Sequence, residues 1–202
     1  MVGQCEDFAV PPTEDVLPPG TLVGQYRIEG LRSQGGMAAV YEAQHPVIET
    51  RAAIKVIHGR LASAQGLIRR FVDEARAVNQ IRHPHIVDVF AFGELPDGRS
   101  FMVMEWLEGH SLERSLESSR LPLSKSCELM MTLCDALSAT HARGIIHRDL
   151  KPANIQLVTR DPLQIKLLDV GIAALGGRSG IEGGEHGSVG TRDYMAPEQA
   201  VG

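Results

Sequence analysis

His147-Arg148-Asp149-Leu150-Lys151-Pro152-Ala153-Asn154 is the stretch on which the reading of this sequence turns. It places a carboxylate, an ammonium and a carboxamide (Asp149, Lys151 and Asn154) within six residues. Apolar pieces bound it, Ile145-Ile146 before and Ile155 to Val158 after, which predicts a polar loop between two buried segments. Phosphoryl transfer needs a carboxylate to orient a hydroxyl, a cation to neutralise the migrating group and oxygen ligands for Mg²⁺. This loop carries all three residue types. Fifteen positions after Asn154, Asp169-Val170-Gly171 follows an apolar run, Ile165 to Leu168. An acid there can hold a metal that bridges phosphates.

Upstream of this loop, Tyr26 and Ile28 lead through a Gly-rich turn to Val40, and Ala52 to Ile57 form an apolar run interrupted by Lys55. Both patterns predict strands. A helix follows in which Leu67, Phe71, Val78 and Ile81 make an apolar stripe, and Glu74 falls inside it. A carboxylate on a buried face is costly unless paired. Glu74 therefore either sits at the edge of the stripe and reaches solvent, or pairs with the equally misplaced Lys55. Val87 to Phe92 and Ser100 to Glu105 predict two more strands, joined by Leu95-Pro96-Asp97-Gly98. A first lobe of five strands and one helix results.

From Ser111 onward the pattern is helical, with Ser124 as N-cap of a long helix ending near Gly144. Leu129, Met130, Met131, Leu133, Cys134, Ala136 and Leu137 lie round its circumference, which predicts burial on several sides. Cys127 and Cys134 are expected to be buried thiols in it. The Gly-rich residues 171–190 predict a mobile loop. Residues 1–24, with Pro11, Pro12, Pro18 and Pro19, predict a disordered leader.

The 202 residues suffice for one medium domain or two small lobes, and the 4% aromatic content makes the core aliphatic. A net charge of -5 gives no reason to expect nucleic acid or an anionic membrane as partner. Three cysteines without framework spacing argue against a secreted disulfide scaffold. No membrane segment and no signal peptide are visible, so the expected location is the cytoplasm.

Taken in order, these stretches resemble the motifs of the eukaryotic-type protein kinases, in their bacterial Ser/Thr subgroup. Ala52-Ala53-Ile54-Lys55 resembles the strand that bears the phosphate-binding lysine, and Glu74 matches its helix partner. Met104-Glu105-Trp106-Leu107 is similar to the gatekeeper and hinge, His147 to Asn154 to the catalytic loop, and Gly190 to Glu198 to the end of the activation segment. The resemblance spans roughly residues 26–202. It implies an α+β, protein-kinase-like bilobal fold: a small lobe over 25–107 with a five-stranded antiparallel sheet and one helix, and a partial, mainly helical large lobe over 108–202.

The resemblance also implies roles. Lys55 would hold the α- and β-phosphates of ATP, with Glu74 fixing Lys55. Ser33, Gly35, Gly36, Val40, Ala53, Met104, Glu105, Leu107 and Gln156 would line the nucleotide site. Asp149 would orient the acceptor hydroxyl and take its proton, and Lys151 would stabilise the γ-phosphoryl. Asn154 and Asp169 would bind Mg²⁺, or Mn²⁺ in its place. Thr191 would bond near Asp149, and Arg148 would pair with a phosphate at Ser179 or Ser188. Lys151, two positions after Asp149, favours a protein Ser/Thr acceptor over Tyr.

The sequence departs from that pattern in several places. Of three expected loop glycines, at Ser33, Gly35 and Ala38, only the middle one is present. Val170 stands where Phe is usual, and Gln156 where an apolar side chain lies beneath adenine. Arg192-Asp193 replaces a Pro-containing turn. The chain ends at Gly202, where family members continue through further helices, one of which supplies an Arg partner for Glu198. The expectation is an ATP-dependent Ser/Thr protein kinase. The alternative is a catalytically impaired, pseudokinase-like module that binds nucleotide or partners. Residues 1–202 alone are expected to expose an apolar patch on the large lobe.

Overall fold

The computed structural model describes residues 16–36, 38–59, 72, 79–158, 164–170 and 192–201. A first sheet is built from β1 (Leu22–Val23), β2 (Tyr26–Gln34), β3 (Ala38–Gln44), β4 (Arg51–Ile57), β5 (Val89–Glu94) and β6 (Ser100–Glu105), in spatial order β1-β2-β3-β4-β6-β5. Every neighbouring pair is antiparallel. Successive strand side chains point to opposite faces. The parity that buries Tyr41, Ile54 and Val56 with Val23, Ile28 and Phe101 therefore turns Val40, Ala53 and Lys55 to the other face. Register sets these side by side: Val40 opposes Lys55, Lys55 opposes Met102, and Ala53 opposes Met104. On that face Met102 and Met104 pack with Ile57, Val87 and Val89.

Two expectations about this lobe need correction. The sheet has six strands among the described residues, not five, and the packed chain begins before residue 25. Gly24, at φ +59°, occupies the left-handed region that favours glycine, and the chain reverses there so that Val23 pairs with Tyr26. Val23 is buried in the core, as is Leu17, whose N–H donates to the Tyr41 hydroxyl at 3.1 Å. Burial of these side chains, each worth about 1.5–3 kcal/mol, holds residues 16–24 on the sheet despite Pro18 and Pro19. The helix expected around Glu74 is described only at Val72 and residues 79–81, and Glu74 itself lies outside the described residues.

Beyond β6, residues 106–109 lead to β7 (His110–Ser111), α1 (Leu112–Ser118) and α2 (Leu123–His141). The Ser111 hydroxyl caps α1, accepting from the Arg114 N–H. For α2 the N-cap is Pro122, not Ser124; the helix starts two residues earlier because Pro122 leads in at an extended ψ of 146°. Next come a 3₁₀ turn (Pro152–Asn154), β8 (Ile155–Val158), β9 (Gln164–Leu167), a second 3₁₀ turn (Arg192–Tyr194) and α3 (Pro197–Val201). Strands β7, β8 and β9 form a second antiparallel sheet. Its apolar face packs with Leu129, Leu133 and Ala136 of α2, and Val170 joins that core at 2% exposure.

α2 buries one face, Leu129, Leu133, Ala136 and Thr140. At about 100° per residue, Cys127 and Cys134 fall on its far side, and both are exposed, contrary to the expected buried thiols. Leu123, Met130 and Met131 are exposed as well.

The lobes meet through backbone. Ile86 forms a parallel bridge with Leu167. Leu167 donates to the His85 carbonyl at 2.8 Å, and Val87 donates to the Leu167 carbonyl at 3.1 Å. Leu168, the residue before Asp169, packs against the small-lobe cluster of Met102 and Met104.

Within the small lobe, Gly93 on β5 opposes the buried Phe101 on β6. A methyl group at Gly93 would stand 2.6 Å from Phe101 Cζ and 2.8 Å from Cε1. Such overpacking costs about 1–3 kcal/mol. Gly93→Ala should therefore lower the urea midpoint at unchanged m-value; an unmoved midpoint would show that the ring swings aside freely.

Candidate active site

The parity of β4 delivers Lys55 to a cleft of about 690 Å³ between the two sheets. The Lys55 ammonium meets the Asp169 carboxylate at 2.7 Å, with the lysine side chain only 12% exposed. Among the described residues this is the charge that balances Lys55. Asp169 follows the end of β9 at φ +54°, a left-handed conformation uncommon for a non-glycine residue. The Leu168 N–H, bonded to the Asn154 carbonyl at 2.9 Å, ties this turn to the loop before β8.

That loop is organised by Asn154, which is only 8% exposed. Its Nδ2 donates to the Asp149 carbonyl at 2.8 Å and to Asp149 Oδ2 at 3.0 Å. Lys151 Nζ also lies 3.0 Å from Asp149 Oδ2. The Asp149 carboxylate thus accepts from an amide and an ammonium together, a charge-assisted arrangement that fixes its direction. Arg148, at φ +63°, is the second left-handed residue of the site, and its carbonyl accepts from Gln199 Nε2 of α3 at 2.8 Å. Strained backbone of this kind persists only where its surroundings over-determine it.

His147 supplies part of that support. Leu168 O can only accept, so the His147 Nε2 2.9 Å from it carries the proton. Asp149 N–H can only donate, so His147 Nδ1 accepts from it at 3.3 Å. The ring is the neutral Nε2–H tautomer. Burial pushes its pKa below the ordinary value, outweighing the Leu168 hydrogen bond and the nearby carboxylates that raise it.

Of the residues expected to hold nucleotide, Ser33, Val40, Ala53, Lys55, Met104, Glu105, Leu107, Gln156 and Asp169 line the cleft, together with Asn154. Gly35 and Gly36 are not among its described walls. Glu105 is braced from behind: its carboxylate accepts from the Asp88 N–H at 2.8 Å and pairs with Lys166 of β9. Thr191, Ser179 and Ser188, like Glu74, lie outside the described residues.

Sequence reasoning missed the outer end of the cleft. There Arg51 stacks on the Trp106 ring at 4.4 Å, with Arg32 at 5.2 Å. Arg51 bonds Glu42 at 2.5 Å and Glu108 at 2.6 Å, and Arg32 also pairs with Glu42. Burial tends to raise the Glu42 pKa, but the two guanidiniums hold it below the ordinary range. Only the pairing of Ala52 with Glu105 brings Arg51 beside Trp106; no local sequence pattern announces it.

The cleft's oxygen donors suit a divalent metal. Asn154 has its amide nitrogen committed to Asp149, which leaves Oδ1 as its acceptor, and Asp169 has a second carboxylate oxygen beyond the one on Lys55. Among the described residues no group of three His, Cys, Asp or Glu could cage a metal alone. A hard cation shared with phosphates needs only one or two protein oxygens.

The model of the protein kinase domain matches residues 26–200. The chain belongs to the protein kinase family. Serine/threonine-protein kinase Pkn1 of Myxococcus xanthus is 42% identical over 186 residues, 91% of this chain and 26% of that protein. Serine/threonine-protein kinase PknA of Mycobacterium tuberculosis is 37% identical over 188 residues, 90% of this chain and 43% of that protein. The chain thus spans well under half the length of these curated kinases. In structure it resembles the Mycobacterium tuberculosis PknI kinase domain with a TM-score of 0.69 at 29% identity, covering 78% of this chain and 62% of that one. The kinase family implies ATP and a divalent metal as cofactors and protein as substrate. No helix among the described residues is long and apolar enough to cross a membrane.

The neutral His147 ring makes a pH prediction for this kinase chain. Because its pKa is lowered on folding, the unfolded chain takes up the proton first as pH falls. The stability is present in full above the unfolded value, about 6.5, and is lost as pH falls below it toward the folded pKa. His147→Gln, which cannot titrate, should show a smaller drop in Tm between roughly pH 7 and pH 5 than wild type. Equal drops would remove His147 as a source of that pH dependence.

Proposed function

We propose that this chain is the nucleotide-binding and catalytic part of a cytoplasmic protein serine/threonine kinase, which transfers the γ-phosphoryl of Mg-ATP to a Ser or Thr hydroxyl of a protein. The observation that carries the reading is the convergence of two clusters: Lys55 with Asp169 at 2.7 Å, and Lys151 and Asn154 on the Asp149 carboxylate, each at 3.0 Å. Residues 16–107 act as the nucleotide-holding lobe and residues 108–202 as part of the lobe that acts on the acceptor.

In this reading Lys55 neutralises the α- and β-phosphates. Asp169 and the Asn154 amide oxygen hold Mg²⁺, which when bound neutralises charge on the phosphates. Asp149 accepts the hydroxyl proton as the acceptor oxygen bonds to the γ-phosphorus and the bond from that phosphorus to the bridging oxygen breaks, releasing ADP. Lys151 offsets charge on the transferring group. His147 touches neither substrate; it holds the backbone of Asp149 and Leu168 in register. Protein hydroxyls and ATP are the partners, and nucleic acid is not.

One observation favours the non-catalytic alternative: Ser33 and Ala38 stand where glycines are expected, and Gly35 and Gly36 are not among the described walls of the cleft. Kinetics separate the two readings. Asp149→Asn should lower kcat by about 10²–10⁴-fold, as loss of a general base does, with ATP affinity kept. Lys55→Met should weaken ATP binding as well. Labelled-phosphate transfer to a generic basic protein at wild-type rate by Asp149→Asn would overturn the catalytic assignment. A wild-type protein that binds Mg-ATP yet transfers nothing would establish the alternative.

A further inference from the structure

Strand β4 sends every second side chain to the cleft face. Lys55 and Ala53 lie there, and so does Arg51 at the head of the strand, four residues and about 13 Å of strand from Lys55. Arg51 opposes Gln44 by register, which makes Glu42 its diagonal neighbour on β3. Its Nε and Nη2 donate to Glu42 Oε1 at 3.0 and 2.5 Å, and its Nη1 donates to Glu108 Oε1 at 2.6 Å. The guanidinium carbon lies 4.4 Å from the centre of the Trp106 ring. The Trp106 indole N–H donates to Glu108 Oε1 at 3.2 Å, which closes the set. Arg32, immediately before Ser33, pairs with the second Glu42 oxygen.

Isolated exposed ion pairs contribute little, whereas a guanidinium forked onto several partners has a fixed geometry. Glu42, at the centre of this network, is only 18% exposed. Arg51 therefore grips the linker between the lobes on both sides of Leu107, taking Trp106 by its ring face and Glu108 by its carboxylate. Leu107 itself lines the cleft, and its side chain packs against the cluster of Met102 and Met104. Among the described residues its backbone N–H has no hydrogen-bond partner. A backbone donor left unpaired at a cleft wall is a group that a ligand can use.

We propose that Arg51 is a positioning residue, which clamps Trp106 and Glu108 and so presets the stretch of linker that takes the base end of the nucleotide. This rests on the nucleotide-binding reading above. A linker already ordered in the free protein removes an ordering cost at the moment of binding. Glu42 acts through Arg51, since it is not among the described walls of the cleft.

The test uses the full protein, Arg51→Ala, Arg51→Lys and Glu42→Gln. Trp106 is the chain's one tryptophan, so its fluorescence reads the clamp directly. Acrylamide should quench it more strongly in Arg51→Ala than in wild type. Adenosine affinity should fall about three- to tenfold in Arg51→Ala, the scale of one hydrogen bond. Magnesium tripolyphosphate, which has no base, should bind as it does to wild type. Glu42→Gln should weaken adenosine binding in the same sense by a smaller factor.

Unchanged quenching in Arg51→Ala would overturn the clamp. Stronger quenching with unchanged adenosine affinity would overturn the positioning role, as would equal losses for adenosine and tripolyphosphate. Adenosine weakened by Arg51→Ala but not by Glu42→Gln would mean that Arg51 touches the ligand itself, which overturns it too. If Arg51→Ala does not fold, Arg51→Lys decides, because a lysine keeps the charge but cannot fork onto both carboxylates. Stronger quenching with weaker adenosine binding in that variant supports the proposal, and wild-type values of either sink it. A wild-type protein that binds neither Mg-ATP nor adenosine would overturn the underlying reading and the positioning role with it, while the quenching comparison would still report on the clamp separately.

Discussion

An ammonium and a carboxylate 114 residues apart in sequence meet across the cleft, Lys55 on Asp169 at 2.7 Å. Lys55, only 12% exposed, would be strongly destabilising left without a counter-charge, and among the described residues Asp169 supplies it. Much of the structure is arranged to make the meeting possible. The alternation of β4 turns Lys55 inward, and Met102 and Met104 flank it by register. On the other side, the β8–β9 hairpin returns the chain so that Leu168 bonds Asn154, and a left-handed Asp169 turns its carboxylate toward the lysine. Backbone bonds between residues 85–87 and Leu167 keep the two halves from drifting apart.

The parts that were legible in the sequence are those whose chemistry conflicts with their setting. Lys55 reads as an anomaly in an apolar run, and Asp149, Lys151, Asn154 and Asp169 as polar groups punctuating buried segments. Their companions were not legible, because they come together through strand register rather than through spacing. Arg51 reaches Trp106 only because Ala52 pairs with Glu105, and Glu42 only because Gln44 opposes it in register. Leader composition misled for a similar reason: Pro18 and Pro19 argue for disorder locally, while Leu17 and Val23 find a core that only the folded sheet supplies. The α2 cysteines misled because a helix rich in apolar residues all round was buried on one face.

His147 is a case where the motif was visible and the physics was not. A histidine beside an aspartate suggests proton chemistry, yet both ring nitrogens are engaged by backbone, one donating to Leu168 and one accepting from Asp149. Its burial and its single tautomer make it a strut between the loop that carries Asp149 and the turn that carries Asp169. The site's two non-glycine residues at positive φ, Arg148 and Asp169, are each next to a residue that this ring bonds.

The segment joining the lobes is held unequally at its two ends. Glu105 is anchored to the large lobe by Lys166, and these side chains are only 21% and 16% exposed. Glu108 is anchored to the small lobe by Arg51, with exposures of 63% and 40%. Salt screens exposed pairs far more than sheltered ones, so the linkage has a graded stiffness. Bending between the lobes should begin at the Glu108 end, and rising ionic strength should soften that end while leaving Glu105 as the fixed pivot.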